Sequence, residues 1–384
     1  MKRDSKLNPR IVHLTVGRNL SSGQRKQLQY ESSDANEIRD VTWTTLALHT
    51  EMPEDEYERR IPWLFRAIFI RNLYAWYYAY QLSKEYDIVM LKHITFDPFT
   101  FVSLFIPNRI SVHHSKEIYE LRLIKGVLGR CASFLERIAG GFALRNAKAV
   151  VGVTSEIAKY EAERCIPNKN FGVYPNGISL GCVSLAEDDR QEGEMNVVFI
   201  CGVFVSWHGL DLLIDAVDNM QTSRNDAKLK IHLIGELTKE QAAALIETST
   251  RRDIFVNHGV LDRESYLPIL NRCNLGLTSF GLHRKGLAEA ATLKVRELLA
   301  MGIPVYSGHS DTAIPTGYPF YLVAERPDIG QIRQYCLDMR QVSREEVHNR
   351  SMKYISKSQM MKTLIVWMRD EGLLPQPKNS EAES

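Results

Sequence analysis

The sequence predicts an α/β protein made of two doubly wound parallel-sheet domains. Three observations predict it. Short β-branched apolar runs alternate with helix-patterned segments nearly throughout. The alternation stops once, in the polar and acidic stretch "LGCVSLAEDDRQEGEM" (180–195), and then restarts. A chain of 384 residues also exceeds one ordinary core and suits two. The expected organisation is an N-terminal domain over 1–180, a linker over 181–195 and a C-terminal domain over 196–356. A helix over 357–374 is a candidate to pack back on the N-terminal domain, and a disordered tail covers 375–384.

In the first half, "RIVHLTV" (10–16), "VTWTTLAL" (41–48), "DIVMLK" (87–92), "RISVHH" (109–114), "AVVGVT" (149–154) and "FGVYPNGI" (171–178) read as strands. Residues 61–86, 135–147 and 155–164 read as helices, the last with Ser155 as N-cap candidate. In the second half the strands are 196–201, 229–235, 253–259, 275–280, 303–308 and 319–323. The helices are 210–220, 239–250, 263–273, about 290–301, and 359–374 near the end. Successive βα units dictate parallel sheets, and ligands of such sheets sit beyond the carboxyl ends of the strands. With two such domains facing each other, the cleft between them is the expected site.

A hydrophobic fraction of 44% and a charged fraction of 24% fit a soluble globular protein, and a net charge of +2 gives no nucleic-acid signature. Residues 1–170 carry 25 Lys+Arg against 19 Asp+Glu, while the remainder carries 23 against 27. The first half is therefore a candidate to meet an anion, although chance and an acidic tail account for the asymmetry equally well. The six cysteines (Cys131, Cys165, Cys182, Cys201, Cys273 and Cys336) form no C-x-x-C pair and have no histidines at zinc spacing. They read as free thiols of a reducing compartment. There is no D-x-D and no His/Cys cluster, so no metal and no cofactor are expected. The N-terminus lacks an apolar signal region and no run of 18 apolar residues occurs, which points to the cytoplasm.

The stretch "EAATLKVRELLAMGIPV" (289–305) holds Glu289 and Glu297 eight positions apart, with Lys294 between them. Glu289 lies in a Gly/Ala-rich loop. Thr292 is an N-cap candidate that leaves amides near Leu293 and Lys294 open to a phosphate, with Lys294 adding positive charge. By spacing alone, a solvated helix with an (i, i+3) Lys294–Glu297 pair is the better reading.

At this point the sequence resembles a known family. "EAATLKVRELLAMGIPV" resembles the E-x7-E signature of retaining GT-B glycosyltransferases, in particular glycosyltransferase family 4. "VYPNGI", "FICGVFVSWHGLDLLIDAV", "IHLIGE" and "FVNHGVLDRESYLPILNRCNLGLTSF" follow in the family's order. The resemblance implies a GT-B fold of two Rossmann-like domains facing across a cleft. The function it implies is retaining transfer from a nucleotide sugar to a hydroxyl of a glycan or lipid-linked acceptor, in bacterial surface polysaccharide or lipopolysaccharide synthesis. Under it, Glu289 contacts the donor sugar and Glu297 holds the ribose. Lys294 and the amides around Thr292 and Leu293 take the diphosphate. Gly259, Val260 and Leu261 set backbone against the base, and Gly202 admits the phosphates. The family's usual arginine and lysine after that glycine are replaced by Val203 and His208. Lys294, His208, Arg284 and Lys285 are the candidates to compensate. A nucleotide-sugar epimerase of the same fold, or a non-catalytic homologue that Val203 favours, are the alternatives.

In the first domain, His113 and His114 directly follow a strand, where the resemblance implies a functional polar residue, and structural hydrogen bonding is the competing reading. The resemblance also implies a phosphate contact in the first loop, for which Gly23 in "SSGQRKQ" is the candidate, with Arg25 and Lys26 beside it, against a plain surface loop. The aromatic and basic stretch 57–86 is either core or a peripheral contact with the inner membrane face.

Overall fold

The computed structural model describes residues 8–124, 126–164, 169–220, 228–243, 245 and 252–377. The chain divides into two compact units: unit 1 takes Met1–Ser179 with Ser356–Ser384, and unit 2 takes Leu180–Ile355.

Unit 1 opens with β1 (Arg10–Val16), α1 (Ser22–Asp34), β2 (Thr42–His49), β3 (Glu58–Arg60), α2 (Ile68–Glu85), β4 (Ile88–Lys92) and β5 (Arg109–His113). It continues through α3 (Glu117–Arg122), α4 (Val127–Leu135), α5 (Gly141–Arg145), β6 (Ala149–Gly152), α6 (Ser155–Glu163) and β7 (Phe171–Val173). All seven strands are parallel, in the order β3-β2-β1-β4-β5-β6-β7. The central strands are buried on both faces, which is why they are continuous apolar runs rather than alternating ones. Val12, Leu14, Leu46, Val89 and Leu91 form the core with Trp76 and Ala79 of α2.

Several boundaries differ from the expectation for identifiable reasons. The helix expected over 61–86 begins only at Ile68. Just ahead of the expected span, residues 58–60 add an edge strand, and Pro62 precedes a 3-10 turn at Trp63–Phe65; a residue before proline is held out of the helical region. The helix expected over 135–147 is a π-helical turn at Glu136–Gly140 running into α5, and α4, which ends at Leu135, the first residue of that span, precedes it. A Cβ on Gly140 would lie 1.9 Å from Glu136 Oε1, so glycine is what lets that carboxylate turn inward. Thr154, not Ser155, caps α6, its hydroxyl accepting from Ile157 N at 3.3 Å. The strand expected over 171–178 stops at Val173. Helix α1 is an addition to the expected elements, because its buried face includes Glu31 and Asp34 and so lacks an apolar period.

Unit 2 contains β8 (Glu194–Val203), α7 (Leu210–Asp218), β9 (Lys228–Glu236), α8 (Lys239–Ala243), β10 (Phe255–Asn257), α9 (Arg263–Arg272) and β11 (Leu275–Leu277). Then come α10 (Leu293–Ala300), β12 (Val305–Ser307), β13 (Tyr321–Val323), α11 (Ile329–Asp338) and α12 (Arg344–Ile355). Its six strands are parallel, in the order β10-β9-β8-β11-β12-β13, around a core that includes Val197, Phe199, Leu213, Leu233 and Tyr306. The acidic segment after Ser179 lies along this unit, with Ala186 N donating to Met301 O and Asp189 N to Asn271 O, both at 3.1 Å.

The final helix, α13 (Lys357–Asp370), belongs to unit 1. Lys357 is fully buried, with its ammonium 3.2 Å from Glu31 Oε2 and 3.9 Å from the centre of the Tyr174 ring. Glu31 also receives His13 Nδ1 (2.8 Å), Trp43 Nε1 (3.1 Å), Thr45 Oγ1 (3.0 Å) and the Tyr174 hydroxyl (2.8 Å). Burial alone would raise the Glu31 carboxyl, but His13 and Lys357 hold it well below the usual range. Most of the helix expected over 239–250 beyond Ala243, Cys165, and the tail from 378 onward lie outside the described residues.

Candidate functional site in each unit

In each sheet the strand order reverses at one point, between β1 and β4 in unit 1 and between β8 and β11 in unit 2. Loops leaving the carboxyl ends of strands at such a point form the crevice where doubly wound sheets bind ligands.

In unit 2 the loop after β11 carries Glu289 ahead of α10, in a bridge with Ser310. Ala290 N donates to Ser310 O at 3.0 Å, and Thr312 Oγ1 donates to Glu289 Oε2 at 3.1 Å. Thr292 is the N-cap of α10, its hydroxyl accepting from Val295 N at 3.5 Å. Leu293 and Lys294 therefore lie in the first turn, where amides have no intrahelical acceptor. Lys294 Nζ lies 3.5 Å from Glu297 Oε2, the lysine half-exposed and the glutamate nearly buried. One turn in, buried Arg296 forms a two-bond ion pair with buried Asp311, with Nη2 2.9 Å from Oδ1, and Asp311 Oδ1 also accepts from Ala313 N. This pair fastens the start of α10 to the segment that holds Glu289. Sequence reasoning misses Arg296, Asp311 and Thr312, because nothing there signals a pairing fifteen residues apart.

Gly202 lies in the register shift between Ile200 and Val203 of β8, is exposed, and has no atom within 4 Å of where a Cβ would stand. Gly235 (φ 139°) is different, because a Cβ there would lie 2.1 Å from Cys201 O. Its N–H donates to Gly259 O at 2.7 Å, which ties the end of β9 to the loop of Gly259, Val260 and Leu261. Val260 is exposed and Leu261 half-buried.

His208 lies in a 3-10 turn, Ser206–His208, and its ring Nδ1 accepts from Val205 N at 3.0 Å. Burial first, and then the ammonium of Lys285, bring its pKa down to about 4, so the ring is neutral at neutral pH. His208 thus shapes the loop and adds no positive charge. Arg284 is committed elsewhere, with its guanidinium on both oxygens of Asp211 (2.9 and 2.6 Å) and on Ser206 O (2.5 Å). Lys285 Nζ sits 4.5 Å from the centre of the Trp207 ring.

In unit 1, His113 is fully buried and His114 exposed. The His113 ring stacks on His93 with centroids 4.6 Å apart, and its Nε2 is 3.0 Å from Ser111 Oγ. Its Nδ1 faces Glu117 Oε1 at 3.4 Å. Burial, then His93 and Arg164, keep the His113 ring neutral. Glu117 is pushed well above the carboxylate range by burial and by Glu161 and Glu136. Glu136 takes the opposite course: burial would raise it, but His93 at 2.8 Å and Arg164 at 2.8 Å bring it down to about 2. Glu136 Oε2 also accepts from Phe96 N at 3.0 Å. Phe96 is the one non-glycine residue with positive φ (54°) among the described residues. Backbone of this kind, next to a π-helical turn, concentrates at functional sites. Sequence reasoning misses His93, although it directly follows "DIVMLK", the same signal that selects His113. Gly23 lies in the exposed first turn of α1, behind a capping box of Ser21 and Gln24. Arg25 is turned onto the carboxylates of Glu51, Glu54 and Glu58.

Unit 1 also exposes large apolar side chains over neighbouring elements, including Trp63 (74% exposed), Phe105 (62%), Val127 (74%), Leu128 (64%) and Phe134 (66%). The 3-10 turn carrying Phe105 packs against both α2 and α5. Arg59, Arg60, Arg122, Arg130 and Arg137 lie on the same elements or beside them. Among the described residues no helix is long and apolar enough to cross a membrane, and no group of three His, Cys, Asp or Glu is placed to hold a metal ion.

Two all-parallel doubly wound units, with these loops at their switch points, make this the fold of the GT-B glycosyltransferases. Solved structures similar to the chain include the lipopolysaccharide outer core galactosyltransferase WaaB in its apo form (TM-score 0.61, 13% identity, 94% of this chain and 99% of that one). HepE from Anabaena in complex with UDP and glucose is similar at a TM-score of 0.61 and 14% identity, over 94% of this chain and 100% of that one. WaaG, a glycosyltransferase involved in lipopolysaccharide biosynthesis, is similar at a TM-score of 0.55 and 15% identity, over 93% and 99%. No family model and no curated protein matches the sequence.

Proposed function

We propose that this chain is a metal-independent, retaining glycosyltransferase of the family 4 type, moving a sugar from a nucleotide sugar to a hydroxyl of a glycan or lipid-linked acceptor in surface polysaccharide or lipopolysaccharide synthesis. The observation that carries the reading is the set of groups at the unit 2 switch point. Glu289 is held from the loop by Thr312, Thr292 caps α10, and Lys294 and Glu297 share its first turns. A carboxylate that accepts sugar hydroxyls, a helix start that takes a diphosphate and a second carboxylate for two ribose hydroxyls are what a nucleotide sugar needs. HepE has been solved in complex with UDP and with UDP-glucose, and this makes UDP the first nucleotide to test.

In this reading the acceptor hydroxyl attacks the anomeric carbon on the side of the leaving group. The bond from that carbon to the diphosphate oxygen breaks with its electron pair going to oxygen, and the same oxygen takes the hydroxyl proton. Glu289 orients the sugar, and positive groups stabilise the diphosphate. The apolar, arginine-flanked face of unit 1 supports a peripheral contact with an anionic membrane that presents the acceptor.

A thermal-shift screen with UDP, GDP, ADP and their sugars tests the donor side. One nucleoside diphosphate should raise the melting temperature, and its sugar should be hydrolysed slowly to the free nucleotide. Glu289→Gln should leave nucleotide binding intact and lower turnover by about 100-fold or more. Unchanged turnover in that variant sinks the role of Glu289, and an epimerised donor would favour the epimerase reading.

A further inference from the structure

A departing nucleoside diphosphate needs positive charge beside it, and the switch point of unit 2 narrows its source. Val203 is apolar, the His208 ring is neutral, and Arg284 is spent on Asp211 and Ser206. Two ammonium groups on different elements act near the end of β8, Lys285 over the Trp207 ring and Lys294 beside Glu297. Lys294 acts on the Cys201 thiol, which burial pushes up to about 12 and which the lysine pulls back. Lys285, from the 3-10 turn Leu282–Lys285 after β11, acts on His208. The mounting of Lys285 is rigid. Gly209 (φ 72°) and Gly281 let the loops after β8 and β11 meet backbone to backbone, where a Cβ on Gly281 would lie 2.7 Å from Ser206 O. Phe280 N donates to His208 O at 2.9 Å, Arg284 cross-links the same loops, and the Trp207 ring seats the ammonium.

We propose that Lys285, brought to the carboxyl end of β8 by the loop after β11, contacts the nucleoside diphosphate and stabilises it as it departs, in partnership with Lys294. This rests on the nucleotide-sugar reading. Lys285 is then a catalytic residue, and Trp207 and Arg284 are positioning residues that hold it. A charge mounted this way is in place before the ligand arrives, so little reorganisation is needed when the leaving group gains its negative charge.

The test uses the full chain and isothermal titration with UDP, GDP and ADP, and with the monophosphate and nucleoside of whichever binds. Lys285→Met should weaken the diphosphate by about tenfold or more while changing nucleoside affinity by less than about twofold. The dependence of diphosphate affinity on salt should flatten in the same variant. Lys285→Arg should stay within about threefold of the wild type, and Lys285→Gln serves where the methionine variant does not fold. Equal losses for nucleoside and diphosphate would make Lys285 a loop clamp only and overturn the proposal. So would wild-type diphosphate affinity in Lys285→Met, with the wider reading intact. Failure of the wild-type chain to bind any of the three diphosphates overturns that reading, and this proposal with it.

Discussion

With Glu31, Glu136 couples the stability of unit 1 to pH. Its carboxyl is held near pKa 2 by His93 and Arg164 against the effect of burial. A depressed acid stabilises the fold above its unfolded pKa of about 4.3, and that contribution drains away as pH falls through the folded value. The stability difference between wild type and Glu136→Gln should therefore be largest above about pH 5 and shrink steadily toward pH 2, as read by denaturant unfolding at each pH. A constant difference would mean that the carboxylate charge is not what the site uses. Glu117 runs the other way, because burial and neighbouring carboxylates push it well above the carboxylate range. The cluster thus holds acids shifted in opposite directions side by side, and no local sequence pattern announces such an arrangement. Glu289, Thr292, Lys294 and Glu297 are legible because they share one short stretch. Glu136 and the Arg296–Asp311 pair are not, since their partners lie up to 43 positions away.

Among the elements, the interior strands are easily read from sequence, whereas the short edge strand β3 and the polar helices are not. Strand β1 coincides with its expected span, because a strand buried on both faces is a simple apolar run. Helices α1, α3, α4, α11 and α12 escape the sequence reading; in α1 and α12 the buried positions include charged or hydroxyl side chains that break the apolar period. The aromatic stretch 57–86, which the sequence leaves open between core and membrane contact, is divided in the fold. Trp76 and Ala79 face the core, while Trp63, Leu64, Ile68 and Tyr77 are exposed. That division makes a prediction. The full chain should sediment with vesicles containing anionic phosphatidylglycerol and not with pure phosphatidylcholine, and Trp63→Ser with Phe105→Ser and Leu128→Ser should abolish it without lowering the melting temperature. Retention of sedimentation by the triple variant would assign the membrane contact to another face.

Across the whole molecule, the chain path matters more than either sheet. Unit 1 is completed by residues from both sides of unit 2, and Ser358 N meets Asp34 Oδ2 across 324 positions of sequence. Lys357→Ala leaves Glu31 buried without its ammonium and should cost about 3–5 kcal/mol, with loss of amide protection in β1 and β2 but not in β8 or β9 by hydrogen exchange. Lys357→Met paired with Glu31→Gln should recover part of that loss, since a matched neutral pair leaves no stranded charge. On the ribosome, this path sets an order of events. Unit 2, being continuous, has all its strands outside the exit tunnel while unit 1 still awaits α13, so the earlier-made half of the protein is the later to close. At about 5–20 residues per second, the nascent first sheet spends on the order of ten seconds or more with the Glu31 pocket open, a window in which a chaperone would find its binding surface.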